Sequence, residues 1–434
     1  MKNPDANPTV VARHALAWLV FGNAIGVGLA LLLLLPNLNS LLGEWTYGRW
    51  MMVHMNVLLY GWCGIPMLGF LFHTYGLETG RMSRWTRPIV WLWSLALMIG
   101  SASWLQGHSS GKLFLDWTGF ARIFFVLTLE TLWIFLVAAV FFELRDGTSS
   151  SLRKALPQLA GIVVLGFVPN AIYFATNPGL YPAINPNSGG PTGASQLEST
   201  LSIVLILLVI PFGITSRNPR QSRIAGFAWI MFAAQAIFCA FLGRADASNH
   251  LPLQYLGLTT SLVWVPLIPL YYNTFRWREE SRRWRSAFLW WWGGLVITGC
   301  AFFFPGILDR FKFTDGLVGH SLTAVAGFLT AFLIFIMVEL AGPQHAWIFN
   351  RTWSFHAWNM GVLAYVLLMT ATGWIESADP AFTISPGGLR DVLYFLRLLT
   401  GVAMLAASIE WLRNAMTQNA DRIEVESLVG AKAA

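Results

Sequence analysis

Long apolar stretches separated by short polar connections constrain this chain more than any other feature of its sequence. Hydrophobic residues make up 56% of its 434 residues, and charged residues only 11%. An α-helix needs roughly 20 residues to cross the hydrocarbon core of a bilayer, and each stretch approaches or exceeds that length. The stretches occupy residues 13–36, 50–75, 88–106, 117–144, 156–176, 196–214, 223–243, 252–275, 285–304, 316–341, 353–374 and 391–412. The sequence therefore predicts an all-α membrane protein with a bundle of twelve transmembrane helices.

The pattern within the stretches excludes the other structure that can span a membrane, a closed β-barrel. Barrel strands alternate between apolar and polar residues, whereas runs such as 29–35 and 201–210 do not alternate. The longest connections are residues 177–194 and the tail that follows Arg413, so little chain remains for a soluble domain. We predict a single membrane domain over residues 1–434, with a short cytoplasmic tail from about residue 413.

The distribution of positive charge predicts how the helices are oriented. Most of the 28 lysines and arginines fall at the N-terminus and in every second connection, which places those segments and both termini in the cytoplasm. The net charge of +7 is spread over many short loops. It therefore suits anionic lipid headgroups and indicates no nucleic-acid partner. The first apolar stretch lacks a small-residue cleavage pattern, so we expect it to remain as the first helix.

Two histidines lie at matching depths in two of the predicted spans. The second and tenth spans both enter from the outer face, and His54 and His320 each lie about one helical turn inside it. A histidine within a membrane span is costly unless it has a partner, which makes it a candidate for function. Histidines on separate helices of a bundle can bind the iron of a haem between them. A helix-to-helix hydrogen bond is the alternative role for such a histidine.

The order of motifs resembles the catalytic subunit, subunit I, of the haem-copper oxidase superfamily. The likeness is greatest to cbb3-type cytochrome c oxidases and the related nitric oxide reductases. The segment from Arg49 through His54 to Gly61 resembles the family segment that carries an axial ligand of the low-spin haem. The segment from Thr314 through His320 to Gly327 resembles the family's tenth helix. This resemblance implies b-type haem, one or two per chain, with His54 and His320 as ligands of the iron.

Arg397 occupies a third position that the resemblance makes functional. The twelfth span reads Leu396-Arg397-Leu-Leu-Thr-Gly401, which is similar to the family segment whose arginine neutralises the haem propionates. Two carboxylates in a poorly hydrated site need a cationic partner. Snorkelling of the Arg397 side chain to the nearby interface is the alternative.

The chain departs from the family pattern at the metal ligands. The family's tenth helix carries His-X-His, whereas this chain reads His320-Ser321-Leu322, so that Leu322 replaces the second histidine. The family also places three copper-binding histidines on its sixth and seventh helices. The corresponding spans here contain none, and His250 stands alone near the start of the eighth. Copper needs several nitrogen ligands, so we expect no copper, and the catalytic centre looks incomplete.

Three functions remain open at this point. The resemblance implies a haem-binding subunit of a respiratory complex in the bacterial inner membrane. It implies as partners a periplasmic cytochrome c or other electron-transfer subunits in a hetero-oligomer. A haem-free structural or transport subunit on the same scaffold is the first alternative, although no repeated halves are evident in the sequence. An active oxidase or nitric oxide reductase with an unrecognised second centre is the other.

Overall fold

A computed structural model provides the structure of the chain. It describes residues 8–77, 82–112, 114–145, 152–177, 179, 193–218, 222–242, 251–304, 306–312, 314–385 and 387–433. In these ranges the regular structure is helical, apart from an isolated antiparallel bridge between Arg217 and Phe275. We number the twelve longest helical segments α1 to α12. They are α1 Pro8–Leu34, α2 Tyr47–Thr74, α3 Thr86–Leu105, α4 Gly119–Arg145, α5 Leu156–Ala175, α6 Gly193–Ile214, α7 Ser222–Leu242, α8 Pro252–Tyr272, α9 Arg282–Phe302, α10 Asp315–Ala341, α11 Thr352–Ala378 and α12 Gly388–Ala433.

Eleven helices in the described residues are long and apolar enough to cross a membrane, so the chain is a multi-pass membrane protein. The predicted ninth span, residues 285–304, is the one that does not meet this description. It forms the 21-residue helix α9, which has the length to cross a bilayer. Its first four residues include Arg282, Arg283 and Arg285, and three consecutive tryptophans follow at 290–292. These residues lower the mean hydropathy of α9.

Helix boundaries follow from local capping chemistry. The hydroxyl of Thr314 accepts a hydrogen bond from the backbone N–H of Gly316, which satisfies an exposed donor at the start of α10. At the other end of α10, Gly342 adopts φ 79°, a left-handed conformation that favours glycine, and Pro343 follows. Pro252 occupies the first turn of α8, where its missing N–H leaves no intrahelical bond unmade.

The chain forms two compact units. The first comprises Met1–Ala183, Leu340–Trp358 and Gly401–Ala434, and the second comprises Ile184–Glu339 and Asn359–Thr400. Each unit holds a buried carboxylate near the predicted cytoplasmic ends of its helices. In the first unit Glu410 pairs with Arg351 and Arg413. In the second, Glu339 accepts hydrogen bonds from the Arg278 backbone N–H and the Ser281 hydroxyl. These carboxylates fasten the basic loops to the helices.

The two units contain the same local arrangement of a helix pair, which the sequence analysis did not find. Both α2 and α10 are interrupted by a seven-residue π-helix, Val57–Cys63 in α2 and Thr323–Leu329 in α10. Each π-helix begins three residues after the candidate histidine, His54 or His320, and packs against the preceding long helix, α1 or α9. A π-helical segment inside an α-helix is rare and occurs frequently at functional sites.

Glycine and tryptophan make the same contact in both pairs. A Cβ on Gly61, in the π-helix of α2, would lie 2.6 Å from Cβ of Trp18 on α1. A Cβ on Gly327, in the π-helix of α10, would lie 2.6 Å from Cδ2 of Trp291 on α9. Only glycine permits such a close approach without displacing the neighbouring helix. The spacing from His54 to Gly61 equals the spacing from His320 to Gly327.

Candidate functional site

His54 lies in the first unit, on α2, and its ring is held by α1. The distance from His54 Nδ1 to the backbone carbonyl oxygen of Gly22 is 2.7 Å. A carbonyl oxygen can only accept a hydrogen bond, so Nδ1 carries the proton and donates it. In this tautomer Nε2 keeps the lone pair that a metal ion needs. His54 was singled out from the sequence, but the carbonyl that orients it was not.

Glycine at position 26 makes room for the His54 ring. A Cβ on Gly26 would lie only 2.6 Å from Cε1 of His54, so any larger residue would push the imidazole away from α1. Gly22 and Gly26 are one helical turn apart on the same face of α1, and His54 contacts both. The sequence signal for this contact was the pair of glycines four residues apart in a helix that is otherwise rich in leucine and alanine.

His320 lies in the second unit, on α10, and its ring is held by α9. Its Nδ1 is 3.1 Å from the hydroxyl oxygen of Thr298. That hydroxyl lies 2.8 Å from the backbone carbonyl oxygen of Gly294, and donates its proton there. The Thr298 oxygen therefore accepts from His320 Nδ1, and the lone pair of the neutral ring is again on Nε2. Phe302 packs against the ring with its centroid 5.6 Å from that of His320.

The surroundings of the two histidines share one feature, a glycine on the preceding helix that faces the ring. A hypothetical Cβ would lie 2.6 Å from Cε1 of His54 at Gly26, but 3.4 Å from Cε1 of His320 at Gly299. Gly26 follows Trp18 by eight residues, and Gly299 follows Trp291 by eight residues. Each unit therefore presents one imidazole whose Nδ1 donates a hydrogen bond to the helix that precedes it.

Arg397 lies in the second unit, on α12, and is buried, with 8% of its surface exposed. Its Nε donates a hydrogen bond of 2.6 Å to the hydroxyl of Tyr365 on α11. Its Nη1 is 3.6 Å from Oδ2 of Asp315, the first residue of α10. Asp315 precedes His320 by five residues, so Arg397 is joined to the helix that carries this histidine. These contacts hold the Arg397 side chain inside the protein, whereas the snorkelling alternative would extend it to the membrane interface.

Two carboxylates near this site were not singled out from the sequence: Asp315, which faces Arg397, and Glu376, which contacts Asp315. Oδ2 of Asp315 is buried and makes no hydrogen bond among the described residues, because its distance to Arg397 is longer than a direct hydrogen bond. On α11, Oε2 of Glu376 accepts a hydrogen bond of 2.9 Å from the backbone N–H of Asp315. The available signal was the position of both acids at the predicted outer ends of apolar spans, where a charge needs a partner.

A polar loop between α3 and α4 in the first unit is built around Asp116 and Lys112. Asp116 is fully buried and accepts hydrogen bonds from Ser109 and from both the backbone and the hydroxyl of Ser110. The Lys112 amino group donates to the carbonyl oxygens of Ala175 and Asn177. Burial lowers the pKa of Lys112, and the charge of the nearby Arg122 acts in the same direction. The loop thus docks against the end of α5.

The structure describes only part of the two segments that correspond to the copper-binding helices of the resembled family. Helix α6 covers the sixth span and contains no histidine. Helix α7 ends at Leu242, and residues 243–250, which include His250, lie outside the described residues. Among the residues that are described, no group of three or more histidine, cysteine, aspartate or glutamate side chains is arranged to hold a metal ion. The absence of copper therefore stays a prediction from the sequence.

Comparison with known proteins adds no relative. No protein-family model matches this sequence, and no curated protein is significantly similar to it.

Proposed function

We propose that this protein is a haem-binding integral membrane subunit of a respiratory electron-transfer complex. In this proposal the chain has the twelve-helix fold of haem-copper oxidase subunit I, and α9 crosses the membrane together with the eleven more apolar helices. Its length of 21 residues is sufficient for this, and its tryptophans and arginines lie near its predicted cytoplasmic end, where such residues anchor a helix at the interface.

The tautomer of the two histidines supports the proposal most. A histidine that binds a metal almost always donates its other ring N–H to a carbonyl, a carboxylate or another polar group. His54 makes this hydrogen bond to the Gly22 carbonyl, and His320 makes it to the Thr298 hydroxyl. A glycine also faces each ring: a Cβ on Gly26 would clash with His54, whereas a Cβ on Gly299 would make ordinary van der Waals contact with His320.

The donor set fits b-type haem, one or two per chain. Neutral imidazole nitrogens are common axial ligands of haem iron. His54 would bind iron, and His320 would be the second ligand of that haem or the ligand of a separate one. Arg397 would pair with propionate carboxylates, since its guanidinium is buried beside the start of α10, the helix that carries His320. When bound, the haem supplies one-electron transfer.

The copper centre is absent in this proposal, because the sixth and seventh spans supply no histidines for it. Without a second redox centre, reduction of oxygen to water by this chain alone is not expected. The chain would instead pass electrons to or from a periplasmic cytochrome c or another subunit of a hetero-oligomer. It would reside in the bacterial inner membrane, with both termini in the cytoplasm and membrane lipid around its apolar helices.

A His54→Ala variant tests the proposal. The purified chain should contain haem iron and less than one equivalent of copper by metal analysis. Its reduced-minus-oxidised visible spectrum should show low-spin b-type haem. The His54→Ala variant should lose this spectrum or the haem itself, because the iron would lose an axial nitrogen.

A His356→Ala variant is the matched control. His356 lies on α11 with an exposed side chain, and its replacement should leave haem content and spectrum unchanged. If the His54→Ala protein assembles with unchanged haem content and an unchanged spectrum, the haem assignment is wrong and the haem-free scaffold replaces it. One equivalent of copper that disappears on replacing His250 would contradict the absence of the copper centre.

A further inference from the structure

The two histidines differ in the atom that accepts their Nδ1 proton. His54 donates directly to a backbone carbonyl, that of Gly22. His320 donates to the Thr298 hydroxyl, which in turn donates to the Gly294 carbonyl at 2.8 Å. Thr298 thus stands between the imidazole and the carbonyl oxygens of α9. A side-chain hydroxyl in this place can be changed by substitution, whereas the Gly22 carbonyl cannot.

The number of protons available decides which atom donates in each of these two hydrogen bonds. A threonine hydroxyl has one proton, and the nearest acceptor of that proton is the Gly294 oxygen. The second carbonyl nearby, that of Leu295, is farther away at 3.3 Å. The hydroxyl lone pairs therefore remain for His320 Nδ1–H at 3.1 Å. Because hydrogen bonds in a chain polarise one another, the Gly294 carbonyl strengthens the Thr298 oxygen as an acceptor.

We propose that Thr298 is the positioning residue that fixes the orientation and tautomer of His320 and sets how strongly its Nε2 donates to a metal. This inference rests on the proposed function, in which His320 is an iron ligand. An acceptor for Nδ1–H makes the imidazole more electron-rich, which favours ferric over ferrous iron. Without the hydroxyl, the ring loses its only described hydrogen bond and can rotate or exchange its proton between the two nitrogens.

Two variants at position 298 separate the hydrogen bond from packing. Thr298→Val keeps the shape of the side chain and removes the hydroxyl, whereas Thr298→Ser keeps the hydroxyl and removes the methyl group. Thr128→Val is the control, because the Thr128 hydroxyl donates to the Phe124 carbonyl four residues earlier, as the Thr298 hydroxyl does to Gly294, but it accepts no hydrogen bond from a histidine within the described residues. All are measured as the purified full chain, by the rate of haem transfer to excess apomyoglobin and by the reduction midpoint potential.

We expect Thr298→Val to lose haem roughly 10–100-fold faster than the unmodified chain, the usual effect of removing a hydrogen-bond partner of a metal ligand. Its midpoint potential should move in the positive direction. Thr298→Ser and Thr128→Val should both stay close to the unmodified chain. The rescue by serine is the result that a purely structural role for Thr298 would not produce.

Two results would overturn the inference. One is a Thr298→Val protein with an unchanged rate of haem loss and an unchanged potential. The other is an equal change in Thr298→Val and Thr298→Ser, which would show that the methyl group matters and the hydroxyl does not. A His320→Ala variant measured alongside separates the two proposals. If His320→Ala keeps the rate and the spectrum of the unmodified chain, His320 is no iron ligand and the fault lies with the proposed function.

Discussion

Replacing Asp315 with asparagine should destabilise the second unit, because it removes the carboxylate that faces the buried guanidinium of Arg397. The side chains of Arg397 and Asp315 are only 10% and 18% exposed. At an effective dielectric constant of about 20, unit charges separated by the 3.6 Å of this pair attract by about 4–5 kcal/mol. Loss of one partner of a buried pair costs roughly 3–5 kcal/mol, and asparagine has nearly the volume of aspartate. We therefore expect the free energy of unfolding to fall by about 3–5 kcal/mol.

The assay is reversible unfolding of the purified chain in mixed micelles by titration with sodium dodecyl sulfate, compared at equal haem content. The 22 tryptophans provide a fluorescence signal, and circular dichroism provides the helix content. A Glu279→Gln variant is the control. Glu279 and Arg282 are closer, at 2.8 Å, but both side chains are largely exposed, so water screens the pair and its loss should not be measurable. Burial and not distance decides the outcome.

An Asp315→Asn, Arg397→Gln double variant completes the thermodynamic cycle. Removal of both charges leaves no unpaired ion, so the double variant should be less destabilised than the sum of the two single variants. The reasoning fails if Asp315→Asn costs no more than Glu279→Gln. It fails equally if the two single losses add without any coupling, since Asp315 would then not be the partner of Arg397.

Two further predictions concern packing and topology. Gly373→Ala should lower the midpoint temperature of thermal unfolding. Its Cβ would lie 2.2 Å from the backbone nitrogen of Gly316, so α10 and α11 would have to separate, at a cost of about 1–3 kcal/mol. Gly226→Ala on α7 is the control, because no atom lies within 4 Å of its Cβ, and it should leave the midpoint temperature unchanged or raise it. An equal fall in midpoint temperature in both variants would show that the clash at Gly373 does not matter. In a cysteine-free background, a membrane-impermeant maleimide added outside should label Asp379→Cys but not Glu280→Cys, and the reverse pattern would overturn the predicted orientation.

Hydrophobicity and length determined the helical membrane class of this protein without further information. Long apolar runs must satisfy their backbone hydrogen bonds internally in a bilayer, and a helix does so within one segment. The same rule located ten of the eleven apolar helices to within five residues at either end. The eleventh, α12, was predicted to end near residue 412 but remains helical to Ala433. It could be located only in part, because polar residues are compatible with helix outside the bilayer.

His54 and His320 were singled out from the sequence because a titratable side chain within an apolar run is conspicuous, and Arg397 was singled out because its segment resembles a family motif. Their hydrogen-bond partners were not. The Gly22 carbonyl belongs to the backbone and leaves no trace in the sequence, and the Thr298 hydroxyl resembles any other polar group in a helix. Asp315 and Glu376 stand at helix ends, where an acid is common. Only the packing of α10, α11 and α12 brings Asp315 to Arg397 and Glu376 to Asp315.

The repeated helix pair was visible only in the tertiary structure. The repeat is defined by one tryptophan, two glycines and one histidine at matching spacings in α1–α2 and α9–α10, and so short a pattern is too sparse to be recognised as a repeat. The π-helices after His54 and His320 depend on how each helix packs against its neighbour, which a linear pattern does not record. Hydrophobicity is a local property of each segment, whereas the tautomer of a histidine depends on an atom contributed by another helix.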